Sequence, residues 1–438
     1  MSDTHAQTVA YVRDTMLSES EPPVTERGAI KWVRENLFSS WMNSILTILS
    51  LYIIYYVLSG ILPWLLNSVW DADSLAECRE ILAAQGLTGH DGACFAVITE
   101  RWPQLMFGFY PSELYWRPVV AFVIFLVAIA PVLFQSMPRQ LLWFTAAAPF
   151  ICYWLIWGGS LWGPIFVALG FGIAAVSYSV GTKAAGGIAG ALAAIIVPIL
   201  YWMFVAGPLA GTLASILPLS IENAESNDIG GFMLAIIIGV AGIVLSLPLG
   251  ILLALGRQSD LFIINKVSVA FIEIIRGVPL IVWLFTASLL LNYFLPPGTN
   301  FDLMLRVIIM VTLFSAAYIA EVVRGGLAAL PRGQYEGADS LGLNYAQSMQ
   351  LIILPQALKI SIPGIVNTFI GLFKDTTLVV FIGLLDPIGL SNAIRATTEW
   401  NGIYWELFVF IGLLFFIFCF SMGRYSLFLE KKLQRENR

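Results

Sequence analysis

The fold class this sequence predicts is all-α: a polytopic helical membrane protein with about ten transmembrane helices. Three observations carry that reading. Of the 438 residues, 58% are hydrophobic. Only 12% are charged, against about 25% in soluble domains. The apolar residues are also gathered into runs that approach or exceed the roughly 20 residues a spanning helix needs, rather than alternating as barrel strands do. The mean hydropathy of +0.83 agrees. A soluble enzyme, a disordered chain and a disulfide scaffold are excluded, the last because there are only four cysteines. A net charge of −5 offers nucleic acid no basic surface.

Taken in order, residues 1–40 are mostly polar, with a Glu19-Ser20-Glu21-Pro22-Pro23 cluster and no signal peptide, and read as a cytoplasmic tail. Spans are expected at 42–64, 119–134, 141–157, 161–180 and 184–204, then at 230–255, 267–294, 303–323, 360–385 and 407–422. The stretch 143–204 fits two or three spans. With both termini cytoplasmic, sixteen of the 23 lysines and arginines fall inside, five outside, and Arg276 and Lys374 within spans. The reverse orientation would invert the positive-inside bias. The outside loop 71–115 is acidic, with Asp71, Asp73, Glu77, Glu80, Asp91, Glu100 and Glu113. Cys78 and Cys94 share that loop and can pair if it faces an oxidising compartment. Cys152 and Cys419 read as small core hydrophobes.

The two halves differ. Up to about residue 229 the spans carry almost no charge. After it they hold charges and proline breaks, and an intramembrane charge usually faces a cavity or pathway. Function is therefore expected in the second half. Between the eighth and ninth spans lies a polar insertion. A helix from about Tyr335 is expected to end near Gly342, and a second, amphipathic piece to stop at Leu354-Pro355. This is a docking element in shape, although an amphipathic loop lying on the membrane surface fits the same residues.

The spacing there is specific: Glu336-Gly337-Ala338, three residues, Gly342, nine residues, Ile352-Ile353-Leu354-Pro355. It resembles the loop that marks permease subunits of ABC importers, which sits in a groove of the ATPase and transmits nucleotide-driven closure. The family has Glu-Ala-Ala. Gly337 at the middle position should soften the helix by about 1 kcal/mol. The segments Ala317–Gly326, Ile275–Leu280 and Phe373–Leu378 resemble further signatures of polar-amino-acid permeases. The resemblance covers about 230–428, and the long first half is similar to the extended permease of bacterial general L-amino-acid transporters. It implies a tail at 1–40, an accessory region at 41–229 with a periplasmic loop 70–115, a five-helix permease core at 230–428 with a coupling loop 325–359, and a tail at 429–438.

Within the expected spans, Glu273 and Arg276 are three apart and can neutralise each other on one helix face. Gly277-Val278-Pro279 then breaks or kinks that span. The pair reads as a structural ion pair or as part of a gate. Glu321 and Arg324 are also three apart, as a snorkelling interfacial pair would be. Lys374 and Asp375 are expected near mid-span, pointing about 100° apart. Asn367, Thr368, Phe369, Asp375 and Thr376 could line one strip. Asp375 would suit a substrate ammonium, while hydroxyls, amides or helix termini would suit its carboxylate. The resemblance implies substrate contact at Thr368 and Asp375. Because Thr368 is neutral, selection for cationic side chains should be weak. A buried Lys374–Asp375 network across a subunit interface is the structural alternative.

No Gly-x-x-x-x-Gly-Lys-Ser/Thr phosphate loop is present. No cofactor is expected in this chain, and ATP and Mg would be held by a partner ATPase. The resemblance implies an ATPase dimer, a periplasmic amino-acid-binding protein, a second homologous permease forming a heterodimer, an L-amino acid substrate and a bacterial inner membrane. His5 and His90 lie outside every span, so neither a proton relay nor a metal site is expected. The rival reading is an ion-coupled secondary transporter or channel. It would need paired broken spans in both halves, and Gly-Val-Pro occurs only in the second.

Overall fold

The computed structural model describes residues 28–436 apart from 90, 135, 291–292 and 294–300. Most of the expected N-terminal tail, both histidines and the last residues of the seventh expected span lie outside the described residues. The chain forms two compact units. Among the described residues, one comprises 28–69 with 79–93, and the other 70–78 with 94–436.

In the first unit, α1 (Gly28–Asn36) precedes α2 (Trp41–Leu66). Ser40 caps α2, its hydroxyl accepting from the Asn43 N–H at 3.2 Å. The Thr47 hydroxyl donates to the Leu37 carbonyl at 2.7 Å and fixes the bend between the two helices. At 26 residues, α2 is ample for a bilayer.

The second unit follows the sequence closely. After α4 (Ala96–Phe107) come α5 (Trp116–Leu133), α6 (Leu141–Trp157), α7 (Trp162–Ala185), α8 (Gly187–Tyr201) and α9 (Gly207–Ile216). A π-turn, Trp202–Ala206, joins α8 to α9 as one continuous helix. The stretch left open as two or three spans therefore holds three helices. Next come α10 (Gly231–Arg257), α11 (Phe262–Gly277), α12 (Leu280–Phe285), α13 (Leu303–Ala328), α14 (Arg332–Ser340), α15 (Tyr345–Ser348), α16 (Leu354–Asp375), α17 (Pro387–Arg395) and α18 (Trp405–Glu436). The connecting α3 (Leu75–Ala84) precedes all of these.

Among the described residues, eight helices are long and apolar enough to cross a membrane, and a bent pair and the shorter α6 occupy the remaining two expected positions. Of two expectations about proline, one is met and one needs correction. The seventh span breaks at Gly277-Val278-Pro279: α11 and the helix beginning at Leu280 meet at 102°. Pro279 has no N–H to continue the helical ladder, and Val278 before it is extended, as a residue preceding proline prefers. By contrast, Pro355 does not stop the ninth helix. It lies in the first turn of α16, where a missing N–H is tolerated, and the π-turn Met349–Ile353 joins α15 to α16. One apolar helix thus runs Tyr345–Ile382. Lys374 and Asp375 lie seven to eight residues before the end of this helix, where α16 gives way to the 3-10 turn Thr376–Ile382.

Helix approach in the second unit depends on small residues, as expected where lipid replaces water. A Cβ at Gly242 would stand 2.9 Å from Val311, and one at Gly250 2.6 Å from Ile319, so α10 lies hard against α13. Phe232, Phe373, Phe415 and Phe418 stack between α10, α16 and α18, with ring centroids 5.0 to 6.1 Å apart.

Where α10 begins, three glycines meet. Gly108 forms a bridge with Ile229, and the Gly231 N–H donates to the Leu385 carbonyl at 2.7 Å. Gly231 has φ +62°, and a Cβ there would collide with the Leu105 carbonyl. Gly231→Ala should therefore cost about 1–3 kcal/mol for the backbone conformation alone and more for the collision. The expected result is a lower melting temperature and yield in detergent. Gly172→Ala, in open space on α7, should change neither.

Candidate functional site

The expected coupling loop forms a compact helical element. Pro331 precedes α14, and Gly342 ends the turn with φ +68°, as a helix C-terminus favours. Ala338 is buried, while Glu336, Gly337 and Gly342 are exposed. Nothing lies within 4 Å of a Cβ at Gly337, so this glycine is not required by close packing. Asn344 and Gln347 form a capping box that starts α15. Gln356 donates to Gln334 at 2.9 Å, and the Tyr335 hydroxyl to the Leu327 carbonyl at 3.4 Å, so α14 is tied to both α16 and α13. Leu354 is half-buried and Pro355 exposed in the first turn of α16.

At the same end of α13 lies a cluster of five charges. Glu321 accepts from Arg257 at 2.7 Å through Oε1 and from Arg324 at 3.1 Å through Oε2, and Arg276 stands 3.6 Å from Oε2. Arg257 also donates to Glu273 at 2.9 Å. Arg276 lies over the Tyr318 ring at 5.4 Å. The i,i+3 pair Glu321–Arg324 is thus present, but the expected Glu273–Arg276 neutralisation is not. Each instead reaches across to another helix, Glu273 to α10 and Arg276 to α13, because converging helices offer shorter paths than the α11 face itself. Arg257 was missed. Its only sequence signal was a cation in the last turn of a helix, which the macrodipole alone would explain.

The expected strip on α16 is divided by burial. Asn367 and Lys374, seven apart, are exposed, while Thr368 and Asp375 are half-buried on the next face. Thr376 is 1% exposed and its hydroxyl donates to the Phe373 carbonyl at 2.8 Å, so it belongs to the core and not to the strip. Thr368 donates to Gly364 at 2.9 Å. Thr376 follows buried Leu372 and Phe373 by four and three residues, which places it on their face of the helix.

The opposite end of the core is closed by a polar assembly. Cys78 and Cys94 form a disulfide. The Cys94 N–H donates to buried Glu406 at 3.0 Å, the Trp400 indole to Glu100 at 2.8 Å, and the Leu75 N–H to the Glu399 carbonyl at 2.8 Å. The guanidinium of Arg395 stacks on Tyr404 at 3.8 Å. Asp386, fully buried, caps α17 by accepting from the Gly389 N–H at 2.8 Å, and its Oδ2 has no partner among the described residues. Neither Glu406 nor Asp386 carried a sequence signal beyond a carboxylate near a helix start.

Residues 246–435 match the family described as binding-protein-dependent transport system inner membrane component. The chain is 55% identical to the glutamate/glutamine/aspartate/asparagine transport system permease protein BztC of Rhodobacter capsulatus, over all of both chains. It is 39% identical to the inner membrane amino-acid ABC transporter permease protein YhdY of Escherichia coli, over 95% of this chain and 97% of that one. The chain belongs to the amino-acid ABC transporter permeases. A shorter relative, the probable glutamine ABC transporter permease protein GlnP of Bacillus subtilis, is 29% identical over 44% of this chain and 87% of its own. The permease is accordingly a multi-pass inner-membrane subunit of an ABC importer for amino acids, a class that works with an ATPase and a binding protein. Cys94 and Glu100, which bond to this family core, lie outside the matched residues.

Burial raises the Asp386 carboxyl from 3.8 to about 6, against the opposing pull of the Gly389 and Ile388 amides. A raised carboxyl stabilises the fold fully below its unfolded value, and that contribution is lost as pH rises through about 6. The gap corresponds to roughly 3 kcal/mol. Asp386→Asn should therefore melt higher than wild type above about pH 7, with the difference vanishing near pH 4. Thermal melts across that range check it.

Proposed function

We propose that this permease carries L-amino acids with acidic or amide side chains from the periplasm to the cytoplasm by alternating access. The observation that carries the substrate class is full-length identity of 55% to a permease named for glutamate, glutamine, aspartate and asparagine. In this reading, Asp375 receives the substrate ammonium, and Lys374 and Asn367 on the neighbouring exposed face attract carboxylates or amides. Thr368 adds a hydroxyl and no charge, so cationic side chains gain nothing there. A cation exposed on an apolar helix suits an anionic substrate or an acidic partner surface.

Drive comes from an ATPase dimer that holds ATP and Mg and receives α14. Exposed Glu336 and the free end of the turn at Gly342 support that contact. A binding protein delivers substrate on the periplasmic side, and a second homologous permease completes a heterodimer. Both termini are cytoplasmic, which the excess of lysine and arginine on that side supports. Alternating access then follows from differential stabilisation of two arrangements by ATP.

Glu336→Lys should abolish uptake in vesicles while the protein remains in the membrane, and should lower the ATPase recovered on a tagged pull-down. Normal uptake by that variant would overturn coupling through α14. Asp375→Asn should cut glutamate and glutamine uptake by about tenfold or more, equivalent to at least about 1.4 kcal/mol, with the complex still assembled. Competition by unlabelled amino acids tests the class directly: lysine and arginine should compete least.

A further inference from the structure

The five-charge cluster has one member that every other contact passes through or adjoins. The Glu321 carboxylate is 16% exposed and meets three guanidinium groups from three helices, Arg257 of α10, Arg276 of α11 and Arg324 of α13. The contacts are unequal. Arg257 and Arg324 bond it at 2.7 and 3.1 Å, whereas Arg276 stands at 3.6 Å with its Nε buried and without a partner among the described residues. A half-satisfied, charged contact is the one most easily exchanged, because the network loses least when it opens. Arg276 is also the residue immediately before Gly277-Val278-Pro279, where the helix turns by 102°. On the other side, Glu321 stands seven residues before the end of α13 at Ala328, and only Ala329-Leu330-Pro331 separate that end from α14. The Tyr335–Leu327 bond keeps α14 in register with α13.

We propose that Glu321 is the hub of a latch that transmits displacement of α14 to the broken seventh span, and that the Arg276–Glu321 contact is made and broken in each transport cycle. Arg257 is a positioning residue. By bonding both Glu321 and Glu273 it holds the carboxylate beside α11 while Arg276 moves. Tyr318, whose ring receives Arg276 at 5.4 Å, guides the guanidinium on the open side. The proposal rests on the reading that α14 receives the ATPase. It adds the path by which that movement reaches the span, and the bistable element it acts on is the Gly277–Pro279 break.

The test uses the whole importer, with its ATPase, partner permease and binding protein, in proteoliposomes. Uptake and ATP hydrolysis are measured together. A spin-label pair at Ile274→Cys and Val282→Cys reports the angle across the break, with Cys152 and Cys419 replaced by alanine. In the parent protein the label distance should change when nucleotide is trapped. In Glu321→Gln, hydrolysis should stay within about twofold of the parent while uptake falls by about tenfold or more, equivalent to at least about 1.4 kcal/mol, and the nucleotide-dependent distance change should disappear. Uptake and distance change at parental values in Glu321→Gln would overturn the latch. If Glu321→Gln does not assemble, Arg276→Gln decides. An assembled complex with hydrolysis but little uptake supports the proposal. Parental coupling, or failure of this variant also to assemble, makes the cluster purely structural and overturns it. A parent complex without ATP-driven uptake would instead sink the importer reading itself.

Discussion

α10 can lie against α13 only because Gly242 and Gly250 present no side chain to Val311 and Ile319, and the two ends of the core are set by that contact. At one end the approach brings Arg257, the last residue of α10, within 2.7 Å of Glu321 on α13. At the other it fixes where α10 begins, beside Leu105, Gly108 and Leu385. In a bilayer, helices gain little from burying apolar surface against each other, so close van der Waals packing at small residues carries the association. The aromatic stack of Phe232, Phe373, Phe415 and Phe418 fills the space on the flank where α16 and α18 close on α10.

The charges at the α14 end make sense on the same terms. An isolated carboxylate in a helical membrane protein is costly, and it is retained where several partners share it. Glu321 is shared three ways, so no single guanidinium is indispensable to its solvation. A carboxylate held in this way keeps two partners while one exchanges, which a simple buried pair could not do. The opposite end is built differently. There the disulfide and the bonds of Cys94 and Glu100 to Glu406 and Trp400 tie a segment outside the matched family core to α18 and to the turn before it. Part of the first half of the chain is therefore bonded directly to the matched family region.

Much of this was legible from sequence, for reasons that are local. Apolar runs had to be helices, because a backbone in lipid must satisfy its own hydrogen bonds. The turn at Gly342 and the break at Gly277–Pro279 follow from residues whose φ is either free or locked. Glu321–Arg324 was predictable because i,i+3 neighbours share a helix face. The reading failed where a local rule met a tertiary alternative. Pro355 looked like a stop, yet it falls in the first turn of α16, where a missing N–H is tolerated, directly after the π-turn Met349–Ile353. Thr376 looked continuous with Asp375, yet it shares a helix face with buried Leu372 and Phe373.

What the sequence by itself determined is the helical membrane class, the family and the turn at Gly342, since hydropathy, spacing and turn residues act within a few residues of each other. Only the tertiary structure decided which arginine meets which carboxylate. Glu273 and Arg276 satisfy the helical spacing rule and still do not pair, because Arg257 and Glu321, remote in sequence, stand closer once α10, α11 and α13 converge. Coulomb attraction depends on distance in space and on burial, and neither is written in the order of the residues.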